Sequence, residues 1–271
     1  MIRLNDTYAG YYTYDKDHSP SNVDFLRTEI NLDILHGCDQ MCPGCFIPRK
    51  NLTNADHLKD LYELLVNGSY HPDEIVIGPT DIFDAQNFEE IMNHEYMFKL
   101  YEISAIGFTS TLLQPYWVIK SKLEKIWSLY AHIKRVPDID FKIVLDIDKY
   151  LDGELDDWYK KLKLFVNGSV QFRVNYYKGV FDRISYNELC QKAYDDFHAP
   201  VVITPSFLTD RNARGKVEQH LANFRKDMLE QKIDDKWKEY YTFFDAKFNG
   251  YGCQNYSFYN GKLYVNPFLY D

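Results

Sequence analysis

The sequence has no long apolar run. Within its 271 residues, the longest apolar stretches, such as Ala199 to Thr204, are far shorter than the roughly 18 residues that a membrane helix needs. The first residues, MIRLND, also lack a basic region followed by an apolar stretch and a small-residue cleavage site. We therefore expect a chain that does not span a membrane and that is located in the cytoplasm.

Positive charge is also in short supply. The chain has 31 Lys and Arg against 40 Asp and Glu, a formal net charge of −9. An acidic protein must overcome phosphate repulsion to hold DNA or RNA, so nucleic acid is not expected as a main partner. Hydrophobic residues make up 45% of the chain, which is ample for a folded globular core.

Cysteine is scarce but unevenly placed. Five cysteines are too few for a disulfide scaffold in a chain of this length, and three of them, Cys38, Cys42 and Cys45, fall within eight residues. Cys190 shares a helical stripe with Leu189 and Ala193 and is expected to be an inert core residue. The cluster of three is therefore the feature to explain.

Short Ile-, Val- and Phe-rich runs alternate with helical segments from Arg27 onward, which is typical of βα units around a parallel sheet. The six predicted strands are Glu29 to His36, Glu74 to Gly78, Ala105 to Ser110, Phe141 to Ile147, Val170 to Tyr176 and Val201 to Pro205. The predicted helices are Asn54 to Val66, Asn87 to Tyr101, Tyr116 to Tyr130, Glu154 to Phe165, Tyr186 to Phe197 and Val217 to Gln231. Six repeats fit a partial TIM-type (β/α)6 barrel or an open doubly wound sheet, and we favour the α/β partial barrel. The expected division is an N-terminal extension over 1–26, the barrel over 27–232 and a C-terminal extension over 233–271.

Polar residues alternate with apolar ones along several predicted strands. In the fifth strand Gln171, Arg173 and Asn175 share one face, and toward the end of the fourth strand Asp146 and Asp148 share a face with Val144. The first strand places Asn31 and Asp33 opposite Ile30, Leu32 and Ile34. Because the apolar faces must meet the helices, the polar faces are predicted to line a binding cavity inside the barrel. Asp146, Asp148 and Arg173 could instead form a structural ion pair there.

The cysteine cluster follows the first strand directly, on the rim where α/β barrels carry their active sites. Thiolates spaced by three and then two residues can hold three irons of a cubane and leave the fourth open. This spacing in this position resembles the radical S-adenosylmethionine (SAM) superfamily. The resemblance implies a [4Fe–4S] cluster on Cys38, Cys42 and Cys45, SAM bound to the fourth iron, and a 5′-deoxyadenosyl radical that abstracts hydrogen. It also implies a reducing partner such as flavodoxin or ferredoxin.

The resemblance extends to further SAM contacts. The family has a glycine-rich stretch after the second strand, and here Gly78 matches its first glycine. Pro79 and Thr80 stand where the family has a second glycine and a glutamate, and Thr80 is expected to contact SAM with Gly78. The family prefers an aromatic residue just before the third cysteine, where this chain has Gly44, so the backbone at Gly44 or the ring of Phe46 is expected to contact adenine instead. Asp146 and Arg173 are expected to hold the ribose and the carboxylate of SAM.

The C-terminal tail contains a two-residue hairpin signal, Asn260-Gly261, between alternating stretches. A cysteine before a hairpin resembles the start of the SPASM or twitch extensions of peptide-modifying family members, although no cysteine follows Cys253. This favours a peptide or protein substrate, with a small metabolite as the alternative. The competing class is a non-enzymatic zinc or iron–sulfur module, in which His36 or Cys253 would complete four ligands.

Overall fold

One sheet of ten strands forms the centre of the computed structural model, which describes residues 3–4, 12–13, 27–37, 54–69, 71–78, 80–131, 139–152, 156–165, 169–205, 223, 226–240, 253–259 and 262–265. The strands are β1 (Arg3–Leu4), β2 (Tyr12–Thr13), β3 (Arg27–Asp33), β4 (Glu74–Gly78), β5 (Ala105–Ser110), β6 (Ile139–Val144), β7 (Ser169–Tyr176), β8 (Val201–Pro205), β9 (Cys253–Tyr259) and β10 (Lys262–Val265). Their order in the sheet is β1-β2-β10-β9-β3-β4-β5-β6-β7-β8.

The six predicted barrel strands are β3 to β8. They are parallel and lie side by side in chain order, as consecutive right-handed βα units require. The sheet does not close on itself, so the predicted α/β partial barrel is confirmed.

The described helices are α1 (Asp56–Gly68), α2 (Phe88–Met92), α3 (Glu95–Ile103), α4 (Tyr116–Tyr130), α5 (Ile147–Leu151), α6 (Asp156–Leu162) and α7 (Tyr186–Phe197), with a 3-10 helix over Asp235–Tyr240. The helix predicted over Asn87 to Tyr101 is in fact two, because His94 has an extended backbone and accepts the Tyr96 N–H as a new N-cap. None of the helices in the described ranges is long and apolar enough to cross a membrane.

The apolar face of each barrel strand meets the helix layer. Ile30 and Leu32 of β3, like Phe172 and Val174 of β7, are buried in one core with the apolar stripes of the helices. Because side chains alternate along a strand, the residues between them point to the interior of the barrel. Asn31, Asp33, Gln171, Arg173 and Asn175 occupy these alternate positions, so the structure agrees with the predicted polar face of the sheet.

The tail forms the predicted hairpin. β9 and β10 are antiparallel, with Lys262 opposite Tyr259. β9 also runs parallel to β3, from Arg27 opposite Cys253 to Leu32 opposite Phe258. The hairpin therefore extends the sheet beside the first barrel strand, and β2 and β1 continue it from β10.

Candidate functional site

The carboxyl ends of β3 and β4 are joined by backbone hydrogen bonds that continue past the strands. The Gly78 carbonyl accepts the N–H groups of Ile34 and Leu35 at 2.9 and 2.8 Å. This double contact ties the segment that leaves β3 to the last residue of β4. We call the residues grouped here, Asp33, Gly37, Gly78 and Thr80, the strand-end site.

Gly37 ends the described part of the first βα connection. Its φ is +76°, a left-handed conformation that favours glycine. A Cβ there would also lie 2.6 Å from Cδ of Gln86. Cys38 follows Gly37 in the chain. Cys38, Cys42 and Cys45 themselves, with Gly44 and Phe46, lie outside the described residues.

Gly78 faces the interior of the barrel beside Asp33, its neighbour in register. A Cβ added at Gly78 would meet one atom within 4 Å, the Asp33 Oδ1 at 3.9 Å. Among the described residues, the glycine thus leaves open space above the end of β4. A ligand group that occupied this space would lie within reach of the Asp33 carboxylate.

Asp33 carries an unusual carboxyl group. The side chain is 3% exposed, and this burial raises its pKa from the ordinary 3.8 to about 7, because a buried carboxylate loses its hydration. At neutral pH the group is therefore poised between its neutral and charged forms. A positive ligand placed beside it would favour the charged form.

Thr80 and Asp81 follow β4 and differ in their hydrogen bonding. The Thr80 hydroxyl is buried and finds no hydrogen-bond partner among the described residues. The Asp81 carboxylate instead accepts hydrogen bonds from the hydroxyl of Ser110 and from the backbone and hydroxyl of Thr111. It also accepts the Phe83 N–H at 2.8 Å. Asp81 fixes the loops after β4 and β5 together, which leaves Thr80 as the polar group available to a ligand.

These observations test whether the described residues fit SAM. An open space over a strand-end glycine, a carboxylate beside it and a buried hydroxyl with no hydrogen-bond partner in the described part of the chain are features that a polar, positively charged ligand satisfies. The strand-end site therefore fits the methionine portion of SAM. Its fit to an iron–sulfur cluster depends on the three cysteines, and the described residues contain no group of three His, Cys, Asp or Glu placed to hold a metal.

The position of Asp146 differs from the expectation. The fourth barrel strand ends at Val144 rather than Ile147, so Asp146 does not lie on a strand face. It is the N-cap of α5, and its carboxylate accepts the Lys149 N–H at 3.2 Å. An Asp after a short apolar run is a common N-cap, and this signal was in the sequence.

Arg173 lies on the interior face of β7, as expected. It is half-buried, and its carbonyl accepts the Leu145 N–H at 2.8 Å. The sequence analysis considered an ion pair among Asp146, Asp148 and Arg173 inside the barrel. In the structure Asp148 is exposed, and its Oδ1 lies 2.8 Å from Nη1 of Arg183. Asp152 pairs with the same guanidinium at 2.6 Å, and this interaction lowers the pKa of the Asp152 carboxyl.

A buried ion pair inside the barrel was missed by the sequence reasoning. Lys142 Nζ of β6 lies 2.9 Å from Glu74 Oε2 of β4, and both side chains are almost fully buried. The pair crosses over β5 at Gly107, where a Cβ would lie only 2.0 Å from Glu74 Oε1. The available signal was a lysine between Phe141 and Ile143 within a predicted strand.

The two remaining cysteines lie away from the strand-end site. Cys190 is buried in the core on α7, where desolvation raises the pKa of its thiol to about 12, as expected of an inert residue. Cys253 lies opposite Arg27 at the start of β3. Six residues of strand, about 20 Å at roughly 3.3 Å each, separate that level from Asp33.

The comparisons with known proteins give one informative likeness. No protein-family model matches the chain, and no curated protein matches it. The crystal structure of Streptococcus suis SuiB bound to precursor peptide SuiA matches with a TM-score of 0.50 and 16% identity. The match covers 87% of this chain and 58% of the SuiB chain.

At this identity the likeness concerns the fold alone. It supports the parallel six-strand α/β sheet of the partial barrel.

Proposed function

We propose that the chain is a radical SAM enzyme that holds a [4Fe–4S] cluster on Cys38, Cys42 and Cys45 and binds SAM at the strand-end site. The observation that carries the proposal is that Cys38 directly follows Gly37 in the sequence, and that Gly37 lies two residues after Leu35, whose N–H donates to the Gly78 carbonyl. When bound, the cluster and SAM would supply a 5′-deoxyadenosyl radical for hydrogen abstraction, chemistry that a protein side chain cannot provide.

The residues of the chain have separate tasks in this proposal. Gly78 leaves room for the methionine portion of SAM, and the Asp33 carboxylate beside it attracts the positive charge of that portion. The Thr80 hydroxyl offers a hydrogen bond. Arg173, on the interior face, is placed to attract a carboxylate.

The adenosine portion of SAM is assigned to residues nearer the cysteines and α5. The backbone at Gly44 or the ring of Phe46 contacts adenine. Asp146 Oδ1 is used to cap α5, which leaves Oδ2 for a ribose hydroxyl. These three assignments rest on the family resemblance.

We further propose that the substrate is a peptide or protein. The fold likeness to SuiB supports this, since the SuiB structure is that of a complex with a precursor peptide. The C-terminal hairpin gives independent support, because it resembles the extensions of peptide-modifying enzymes. A flavodoxin or ferredoxin serves as the electron donor.

The chemistry is tested with anaerobically purified and reconstituted protein. We expect about four irons per chain for one cubane, and release of 5′-deoxyadenosine when a reductant and SAM are added. Cys42→Ala should abolish both, with Cys190→Ala as the matched control because that thiol lies in the core. A colourless preparation that contains zinc and ignores SAM would establish the non-enzymatic module instead.

The substrate class is tested by a crystal structure with SAM bound. A peptide substrate requires a groove that runs from the 5′ carbon of SAM to the surface of the protein. A closed pocket of the size of one amino acid or nucleoside would instead establish the small-metabolite alternative.

A further inference from the structure

Asn87 lies at the start of α2 but does not cap it. Asparagine is among the residues preferred at helix N-caps, where its side chain usually accepts an N–H of the first turn. Here no such hydrogen bond forms, although Asn87 is the N-cap residue of α2. The side chain is directed to the segment that leaves β3 instead.

Two hydrogen bonds hold Asn87 to that segment. Its Nδ2 donates to the Ile34 carbonyl at 2.8 Å, and its Oδ1 accepts the His36 N–H at 2.9 Å. Both partners are backbone groups with fixed donor and acceptor roles, so only one orientation of the amide satisfies them. An aspartate could make one of these bonds but would repel the Ile34 carbonyl.

The neighbouring residue completes the contact. The Gln86 N–H donates to the His36 carbonyl at 2.9 Å, and the Gln86 side chain packs where a Cβ of Gly37 would lie. The backbone from Ile34 to Gly37 is thus fixed on both sides of His36 by the loop after β4. We call these three hydrogen bonds the Asn87 clamp.

We propose that Asn87 is a positioning residue for the iron–sulfur cluster. The clamp fixes the direction in which the chain leaves β3 at Gly37, one residue before Cys38. The Asn87 side chain therefore leaves α2 without a side-chain cap. It instead fixes the backbone from which the cysteine segment starts. This inference rests on the proposed function, because it needs the cluster on Cys38, Cys42 and Cys45.

The first test uses cluster-free, full-length protein and hydrogen–deuterium exchange. In Asn87→Ala the segment 34–37 should exchange faster than in the unmodified protein, because the His36 N–H loses its acceptor. Asn93→Ala is the matched control, since Asn93 is exposed at the other end of α2. Equal exchange in Asn87→Ala and the control overturns the clamp.

The second test uses reconstituted protein and reads the cluster itself. Asn87→Ala should release iron to a chelator about tenfold faster, the effect expected from losing one or two hydrogen bonds. The electron paramagnetic resonance spectrum of its reduced cluster should shift. Asn87→Asp, which keeps the bond from His36, should fall between Asn87→Ala and the unmodified protein.

The variant Ser185→Ala distinguishes a positioning role of Asn87 from a general effect on stability. That change removes the capping box of α7, so it lowers the unfolding temperature without touching the clamp. It should leave the spectrum and the iron release unchanged.

The two proposals fail in different ways. If the unmodified protein forms the cluster and both Asn87 variants behave like Ser185→Ala, the positioning role is wrong and the proposed function stands. If the unmodified protein takes up no iron, the proposed function is wrong and this inference with it.

Discussion

Burial decides the charge of Asp33, because the side chain is 3% exposed. The pKa rises from 3.8 to about 7, so between these values the folded protein holds a proton that the unfolded chain has released. The free energy of unfolding therefore falls as pH rises through this window, and the loss is complete above about pH 7. The total is on the order of 4 kcal/mol.

Asp33→Asn should remove this dependence. The amide stays neutral, so the cluster-free variant should gain stability over the unmodified protein as pH rises from about 4 to 7. Urea unfolding at a series of pH values measures the difference between the two. Asp60→Asn, an exposed change on α1, is the control, and equal pH slopes for Asp33→Asn and the unmodified protein would refute the assignment.

Substitution by alanine is expected to have different effects at two glycines of the barrel interior, Gly78 and Gly107. A Cβ at Gly78 meets only the Asp33 Oδ1, at 3.9 Å, so Gly78→Ala should fold with near-normal stability but bind SAM more weakly. A Cβ at Gly107 would lie 2.0 Å from Glu74 Oε1, so Gly107→Ala should destabilise the protein by about 1–3 kcal/mol. Thermal unfolding and equilibrium dialysis with SAM measure the two effects. Unchanged SAM affinity in Gly78→Ala would remove Gly78 from the strand-end site.

At the scale of elements, the Lys142–Glu74 pair joins β6 to β4 across β5. Removing one member of a buried pair leaves a charge without its partner in a poorly hydrated interior. We expect Lys142→Met alone to cost about 3–5 kcal/mol, and the double variant with Glu74→Gln to recover much of the loss. A double-variant cycle from urea unfolding measures the coupling, with Lys149→Met on the surface of α5 as control. Additive losses would mean that the two side chains do not stabilise each other.

Helices and strands with a strong apolar period were predictable from the sequence, and the ends of two helices were predictable as well. The helices Tyr116–Tyr130 and Tyr186–Phe197 have the predicted bounds, because apolar stripes and a capping box mark them in the sequence. The fourth strand was extended too far because Leu145 and Ile147 continue its apolar run. Only the Asp146 cap, a local hydrogen bond, ends the strand and starts α5.

For the candidate site, the face of the strand on which each residue lies was predictable from the sequence, but the contacts between distant segments were not. Alternation of polar and apolar residues along β7 and along β3 placed Arg173 and Asp33 on the interior face. Contacts between distant segments, such as Asn87 with Ile34 or Lys142 with Glu74, depend on sheet register and on which loops meet. A single sequence does not encode these in a local pattern.

At the scale of the whole molecule, the sheet register makes a prediction about cluster number. Cys253 lies level with Arg27, about 20 Å along the strand from the strand-end site. Cys253→Ser should therefore leave about four irons per chain after reconstitution, as should Cys190→Ser. Loss of iron in Cys253→Ser, or a reproducible eight irons in the unmodified protein, would show a role for the tail in metal binding.

The position of β9 has a consequence for biosynthesis. β9 begins at residue 253 yet lies beside β3, the strand that leads to the cysteines. A ribosome adding about 5–20 residues per second therefore releases β3 well before its neighbour exists. We expect translation intermediates that end before residue 253 to keep the amides of 27–33 open to exchange on the side that β9 covers. If the proposed function holds, iron insertion into a site that needs the pairing of β3 with β9 would follow the synthesis of β9.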